Sequence, residues 1–296
     1  MEHIPVLLQE TIKYLNPKKG ETIIDGTLGG GGHAKAFCKN LGKKGTFIGF
    51  DRDEKTFDHA KLLLEPFPCK IKFFHANFSE MKKKLLEENI TKAHKIFFDL
   101  GYSSFQINSD KRGFSFQKDG PLDMRYSGES LVTAYDVVNT WSEKTLADIL
   151  YGFGEERYAR RIARGIVRTR EGRPIKSTQE LAHVIERSVP YFYRHRKLHY
   201  ATKSFQAIRI AVNEELESLK KALPVAFSLL TESGRMGVIT FHSLEDRIVK
   251  SFFRDLSNKK MGKILTKKPI VPKEEEIREN PRARSAKLRV LEKINI

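Results

Sequence analysis

Residues 25–33 read Asp25-Gly26-Thr27-Leu28-Gly29-Gly30-Gly31-Gly32-His33, and their setting decides the fold. Ahead of them Glu21-Thr-Ile-Ile-Asp25 has the composition of a short buried strand; behind them His33–Asn40 reads as a helix ending near Gly42. Glycines let a backbone turn tightly and approach a ligand closely, and the start of the next helix presents free N–H groups towards that ligand. One strand-helix unit later, Gly45–Asp51 reads as a second strand that ends on an acid, where a carboxylate accepts the hydroxyls of a ribose. Strand, glycine turn, helix and acid-ended strand together predict a nucleotide-type cofactor site.

Outward from this unit the alternation continues. Asp53–Leu64 reads as a helix, Lys70–Asn77 as a strand, Ser79–Asn89 as a helix and Lys95–Gly101 as a fourth strand. Such alternation implies an α/β fold, a parallel sheet with helices on its faces. The next buried strand, Arg235–Phe241, follows an amphipathic helix from about Asn213 to Glu232. A crossover needs about thirty residues; the chain between Asp99 and Met236 exceeds that by roughly a hundred, the size of a small domain. The expected organisation is residues 1–104 as the first part of the core, 105–202 as an inserted domain and 203–296 as the second part of the core. The insertion has helical patterns at Leu146–Tyr151, Glu155–Val167 and Thr178–Val189 and no clear strand. A helix from Ser243 to about Leu256 and two strand candidates, Lys263–Ile270 and Lys287–Ile294, close the chain at a sheet edge.

Composition narrows the function. The chain has 296 residues, 40% hydrophobic and 31% charged, a globular mix. It has no apolar run of the length a membrane helix needs, and its first residues lack the basic segment and cleavage site of a signal peptide. Its two cysteines, Cys38 and Cys69, form no CxxC, which argues against a disulfide framework or a cysteine zinc site and fits a reducing cytoplasm. The net charge of +17 suggests a polyanionic partner. The charge is clustered, with Arg157, Arg160, Arg161, Arg164, Arg168 and Arg170 in one stretch and Arg278, Arg282, Arg284, Lys287 and Arg289 in another. Clustering favours the polyanionic partner over a diffuse solubilising charge.

Asp25 selects among nucleotides. A carboxylate just before the glycines repels a pyrophosphate but suits the amino group of a methionine moiety, so S-adenosyl-L-methionine is preferred to a nicotinamide dinucleotide. Phe78, just past strand three, is placed either to pack on an adenine ring or to fill the core. Ligands of open parallel sheets sit beyond the carboxyl ends of the strands, so Asp99, Ser103, Ser104 and Gln106 are expected to line the site.

At this point the sequence resembles the ribosomal RNA small-subunit methyltransferase H family, the cytosine-N4 methyltransferases of bacterial 16S rRNA. The resemblance runs nearly end to end. It rests on His3-Ile-Pro-Val-Leu-Leu, the glycine turn, Asp51-Arg-Asp53, Asp99-Leu-Gly-Tyr-Ser-Ser-Phe-Gln106, Arg112-Gly-Phe-Ser-Phe116 and Asp119-Gly-Pro-Leu-Asp-Met-Arg125. Further on it includes Phe205-Gln-Ala-Ile-Arg-Ile210, Phe241-His-Ser-Leu-Glu-Asp-Arg247 and Asn280–Arg289. It implies a class I methyltransferase core, a Rossmann-like parallel sheet with a terminal antiparallel strand, carrying an inserted, mainly helical substrate-recognition domain. It implies methylation of the exocyclic amine of a cytidine in the decoding region, with 16S rRNA or the small ribosomal subunit as partner. The cofactor residues it implies are Gly31, Gly32, His33, Asp51, Phe78, Asp99 and Gln106, beside Asp25. Tyr102 departs from the small aliphatic residue usual in the family, and Lys203 from its arginine, losing a bidentate fork.

The chemistry asks for an acceptor beside the cytosine amine. That amine is conjugated with the ring and weakly nucleophilic, so it must be oriented and its N–H groups accepted. The Pro-Pro-aromatic turn of many amino-methyltransferases is absent. The candidates are Asp99, Ser103, Asp119, Asp123 and His242, although His242 equally reads as a helix cap and Asp123 as a partner of Arg125. A base in structured RNA must also be unstacked. Phe114 and Phe116 are candidates to flank it or to attach the insertion, and Tyr191–Tyr200 mixes aromatics with bases as RNA contacts do. His195 and His199 have metal-ligand spacing but no third ligand, so no metal is expected. A homodimer is left open. The rivals are a nicotinamide-dependent dehydrogenase, against which Asp25 argues, and a non-enzymatic RNA-binding protein with a decayed cofactor fold, against which the intact turn, Asp51 and Asp99 argue. A methyltransferase for DNA cytosine or a small molecule is excluded only by the resemblance.

Overall fold

The computed structural model describes residues 4–53, 55–101, 112–128 and 130–294. The chain forms two compact units, one of Met1–Ser103 with Leu216–Ile296, the other of Ser104–Glu215.

The first unit is built on a seven-stranded sheet. Its strands are β1 (Thr22–Asp25), β2 (Thr46–Asp51), β3 (Lys70–His75), β4 (Ala93–Asp99), β5 (Leu230–Thr240), β6 (Gly262–Ile264) and β7 (Lys287–Lys293), in the spatial order β3-β2-β1-β4-β5-β7-β6. Strands β1 to β5 pair in parallel, and β7 runs antiparallel to both neighbours. The closing pair lies at the sheet edge as expected, in reversed order: β7 pairs with β5, and β6 is outermost. The expected strand Lys263–Ile270 shortens to three residues, and Ile270 rejoins through a single bridge to Leu288. Between them Thr266 Oγ1 accepts the Val290 N–H, and Pro269 has no N–H to give a ladder.

Successive residues of a strand face opposite sides, and here each side has its own core. Ile23, Phe47, Phe97 and Ile239 pack on one side with Leu15, Phe37 and Leu64 from α1 (Leu8–Leu15), α2 (Gly32–Leu41) and α3 (Lys55–Leu64). Their chain neighbours Ile24, Ile48, Phe98 and Val238 pack on the other. There they meet Leu85 of α4 (Met81–Glu87), with Leu223 and Phe253 from two helices that follow the second unit. Strands buried on both faces read as continuous apolar runs, as β1, β2 and β4 do. Cys38 and Cys69 are free and buried; burial, and next the Cys69 thiol beside it, push the Cys38 thiol up, so it is held neutral. Among the described residues no helix is long and apolar enough to cross a membrane.

The second unit is helical: α5 (Ala134–Thr140), α6 (Glu143–Gly152), α7 (Ala159–Gly172), α8 (Thr178–Ser188), α9 (Tyr191–Arg194) and α10 (Thr202–Asn213). Thr133, Ser142 and Ser177 cap α5, α6 and α8, as hydroxyls do at a helix start. The single helix read over Asn213–Glu232 is two. Glu214, at φ 51, ends α10, and α11 (Glu215–Leu229) begins beyond it. Phe205, Ile208 and Val212 of α10 belong to the helical core, so the return to the sheet unit comes after Glu215 rather than near Thr202. The remaining helices are α12 (Ser243–Asn258) and α13 (Glu274–Glu279).

Residues 112–128 are irregular yet tightly tied to the helices. Asp119 Oδ1 accepts from Gln179 N–H, Thr178 N–H donates to Gly120 O, and Asn213 bridges the loop by donating to Met124 O and accepting from Tyr126 N–H. Gly113 sits at φ +65, where a Cβ would fall 1.9 Å from Pro121 O. Gly113→Ala is therefore expected to destabilise the helical unit by roughly 2 kcal/mol or more, from a left-handed backbone and a backbone clash together. Denaturant melts of the variant, with helicity as the signal, check this; a melt within error of wild type contradicts the packing described.

Candidate functional site

Three adjacent parallel strands of the sheet unit end on aspartates. Asp51 ends β2, Asp25 ends β1 and Asp99 ends β4, and the order β2-β1-β4 sets them side by side at the carboxyl edge. Asp25 is 1% exposed. Its Oδ1 accepts from Thr27 N–H at 3.0 Å and from the Thr27 hydroxyl at 3.3 Å. The same hydroxyl oxygen accepts the Asp99 N–H at 2.6 Å, which ties the ends of β1 and β4 together. Asp51 Oδ2 accepts from Gly29 N–H and Oδ1 from Asp53 N–H, both at 2.8 Å. Asp51 thereby fixes the glycine turn, and it also accepts from the Arg52 backbone N–H.

None of the three has a basic partner strong enough to offset its burial. Burial pushes Asp25 up to about 7, against the pull of Thr27 and helped by the charge of Asp51. Burial lifts Asp51 to about 6, with the N–H groups of Asp53 and Gly29 opposing it. Asp99 rises to about 8, by burial first and then by the charges of Asp25 and Glu245. Asp99 Oδ1 is buried and finds no hydrogen-bond partner among the described residues. Its Oδ2 lies 3.5 Å from His33 Nδ1. His33 Nε2 is 3.0 Å from Val6 O, which can only accept, so Nε2 carries a proton. The Nδ1–Oδ2 contact is then favourable only with a further proton on one of the two groups.

The glycines divide by cause. Gly29 (φ +50) and Gly31 (φ +76) need their backbone conformation, and Gly31 is the N-cap of α2. Gly26 and Gly32 are required by packing instead: a Cβ would fall 2.4 Å from the Phe98 ring at Gly26, and 2.4 Å from Pro5 at Gly32. Phe78 opens a short 3-10 turn, half-buried, with its ring edge-on to Phe98 at 5.5 Å.

His242 is the N-cap of α12. Its Nδ1 accepts the Glu245 N–H at 3.4 Å, while Glu245 Oε2 accepts from Phe241 N–H and His242 N–H. With Nδ1 accepting, a neutral ring carries its proton on Nε2. That atom lies 3.2 Å from Glu245 Oε1 without hydrogen-bond geometry and has no other partner among the described residues. In this arrangement His242 offers a donor rather than an acceptor. Asp123 belongs to the helical unit and holds Arg125 in a fork at 2.8 and 2.9 Å, which lowers its pKa despite partial burial. Ser103 and Gln106, with Tyr102 and Ser104, lie outside the described residues. Phe114 stacks on Tyr126, and Phe116 on His199, within the helical unit. Lys203 donates to Glu155 O at 2.7 Å, a contact that needs one donor and no fork.

The sequence reading missed Thr27 and Glu245. Thr27 stood in plain view between a strand end and the glycines; Glu245 was legible as the third residue after His242, the spacing of a capping box.

The family model described as the MraW methylase family matches residues 1–294. A ribosomal RNA small subunit methyltransferase H from Carboxydothermus hydrogenoformans is 47% identical, over 99% of this chain and 98% of its own length. One from Clostridioides difficile is 45% identical, over 99% of both. A crystal structure from Clostridium thermocellum, provisionally assigned as an rRNA methylase, superposes with a TM-score of 0.50 at 14% identity and covers 99% of this chain and all of its own. The sheet order is that of the Rossmann-like class I methyltransferases.

Carboxyls that bind protons more tightly folded than unfolded make stability fall as pH rises between the two pKa values. Here that window runs from about pH 4, where free aspartates titrate, to about 8, where Asp99 does. The ligand-free protein is expected to lose thermal stability across it. Asp99→Asn is expected to melt higher than wild type at pH 8 and to flatten the dependence; relief of 1 kcal/mol moves Tm by about 2–4 °C at this length. Melting curves of both proteins from pH 5 to 8.5 check it, and a wild type that gains stability with pH contradicts the burial of uncompensated charge.

Proposed function

The chain belongs to the MraW methylase family, and on that premise we propose that it is an S-adenosyl-L-methionine-dependent methyltransferase acting on the exocyclic N4 amine of a cytidine in the decoding region of 16S rRNA. The observation that carries the cofactor reading is the row of carboxyls at Asp51, Asp25 and Asp99, Asp25 buried and the other two partly so, with Asp99 Oδ1 lacking a hydrogen-bond partner among the described residues. When bound, the cofactor supplies an electrophilic methyl group on a cationic sulfonium, together with an ammonium and two ribose hydroxyls. The donor set suits it: Asp51, with three backbone N–H groups on its carboxylate, has acceptor capacity left for a ribose hydroxyl, Asp25 is placed for the amino-acid end, and Phe78 for the adenine. Gln106 joins this set by resemblance alone.

Asp99 is the best-supported acceptor for the amine. Its free Oδ1 takes an N–H and orients the nitrogen lone pair, and as the amine loses its proton the Asp99–His33 pair is able to hold it. Ser103 remains a second candidate. His242 and Asp123 act as cap and as ion-pair partner. The helical unit, corresponding to the insertion read at residues 105–202, recognises the RNA. The protein works in the cytoplasm on 16S rRNA or the small subunit, without a metal.

Two outcomes follow. Asp51→Ala removes a charge-assisted acceptor worth about 1.5–3 kcal/mol, so S-adenosylmethionine binding is expected to weaken roughly ten- to hundred-fold. Calorimetry on a variant shown to be folded reads this, and unchanged affinity sinks the ribose assignment. In a deletion strain, mass spectrometry of 16S rRNA nucleosides is expected to show loss of an N4-methylated cytidine, restored by the wild-type chain and not by Asp99→Ala. An unaltered nucleoside profile refutes the substrate.

A further inference from the structure

The arginine stretch of the helical unit does not act as one surface. Arg170 is structural: its guanidinium donates to Val138 O and Trp141 O at 2.7 and 2.6 Å and ties α7 to the end of α5. Arg161, Arg164 and Arg168 occupy a different face, at the i, i+3, i+7 spacing that keeps side chains together. They line a cavity of about 590 Å³ between α7 and α8, with Arg173 from the connection and Arg187 from α8. Gly165 allows this pairing of helices, because a Cβ there would fall 2.1 Å from Ser188 Oγ. The Ser188 side chain packs on Gly165, and the long cationic side chains line the cavity beside the contact.

The ring is under-compensated. Arg164 reaches Glu143 and Arg173 reaches Glu180, each at 3.6 Å and each well exposed, where a pair contributes little. Glu180 also accepts the Lys176 N–H at 2.7 Å. Arg168 and Arg187 have no ion-pair partner among the described residues, and Arg161 rests near the Tyr158 ring. Five guanidinium groups against one lining carboxylate is an arrangement that an anion relieves. The cations are all arginine, whose planar fork matches a phosphate bidentately where lysine offers a point charge.

We propose that this cavity is a phosphate-binding site that takes the backbone of the RNA substrate and anchors it on the helical unit. The proposal rests on the methyltransferase reading above and adds where the substrate is gripped. RNA is favoured over a free nucleotide by the segment that follows α8. Tyr191 and Phe192 are 74% and 60% exposed, beside Arg194, Arg196 and Lys197 in sequence. Large aromatics left in solvent amid basic residues are a stacking platform for unpaired bases.

The test compares three variants of the full chain. Arg168→Ala/Arg187→Ala removes the two unpaired guanidinium groups. Arg168→Lys/Arg187→Lys keeps charge without the fork. Arg160→Ala/Lys144→Ala removes equal charge from exposed positions that do not line the cavity. Binding of a fluorescent 16S rRNA fragment containing the decoding region is measured against salt. The alanine pair at the cavity is expected to weaken RNA binding by about tenfold or more and to reduce the salt slope by about 0.7–0.9 per phosphate lost. The lysine pair is expected to restore the slope and only part of the affinity, and the control pair to change affinity by less than about threefold. S-adenosylmethionine affinity stays at the wild-type value. Melting at low salt is expected to hold or rise in the alanine pair, since it relieves repulsion; a marked fall would show the arginines to be structural and overturn the proposal. Equal weakening by the cavity and control pairs, or none by either, also overturns it. So does tight, stoichiometric binding of ATP that the alanine pair abolishes while RNA affinity is untouched, which would make the cavity a free-nucleotide site. Wild-type methylation of small subunits is assayed in parallel. Its failure counts against the function proposed above, whereas intact methylation with an unchanged RNA profile in the alanine pair counts against the cavity alone.

Discussion

The withdrawal of three carboxyl groups from solvent at the ends of β2, β1 and β4, Asp25 fully and Asp51 and Asp99 in part, with no Lys or Arg to neutralise them among the described residues, is the constraint on which the rest of the sheet unit turns. Charge in a low-dielectric interior is costly unless paired, so the groups move towards the protonated state and every available donor is aimed at them. The Thr27 hydroxyl links Asp25 to the Asp99 backbone, Gly29 and Asp53 donate to Asp51, and His33 is held against Asp99 by the Val6 carbonyl. The glycine turn follows from this requirement. Its N–H must reach Asp51, its backbone must pass beneath Phe98, and its helix must start in a left-handed residue beside Pro5. Asp99 Oδ1 has no hydrogen-bond partner among the described residues, and a buried acceptor without a donor is costly.

Much of this was legible in the chain. The buried strands announced themselves as apolar runs closing on Asp25, Asp51 and Asp99, and the gap between Asp99 and β5 announced an inserted unit. Other parts were not legible, for identifiable reasons. The break between α10 and α11 depends on the left-handed Glu214 and on Asn213 bonding to a loop ninety positions earlier in rough terms, and no local pattern encodes either. The entry of β7 between β5 and β6 is a matter of long-range pairing. In the motif Asp119–Arg125 the contacts could not be read locally: Asp119 supports the start of α8 and Asp123 holds Arg125. In the same way Arg170 is indistinguishable in sequence from Arg168, and only the structure separates a tie between helices from an open cation.

The two units therefore carry opposite electrostatic problems. At the carboxyl edge of the sheet unit three aspartates gather with little cationic compensation among the described residues, and in the helical unit five arginines outnumber the one carboxylate lining the cavity between α7 and α8. On the function proposed above, a cationic cofactor would answer the first and a polyanionic substrate the second.

The central claim is that the cofactor takes up the role of the missing cation beside Asp25, Asp51 and Asp99. Titration calorimetry of S-adenosylmethionine into the full chain tests it directly, run in buffers of different ionisation enthalpy between about pH 6 and 8, where these groups titrate. The account predicts net release of protons on binding and an affinity that rises with pH, because ligation favours the ionised carboxylates. Binding with no net proton exchange, or binding that tightens as pH falls, would contradict it.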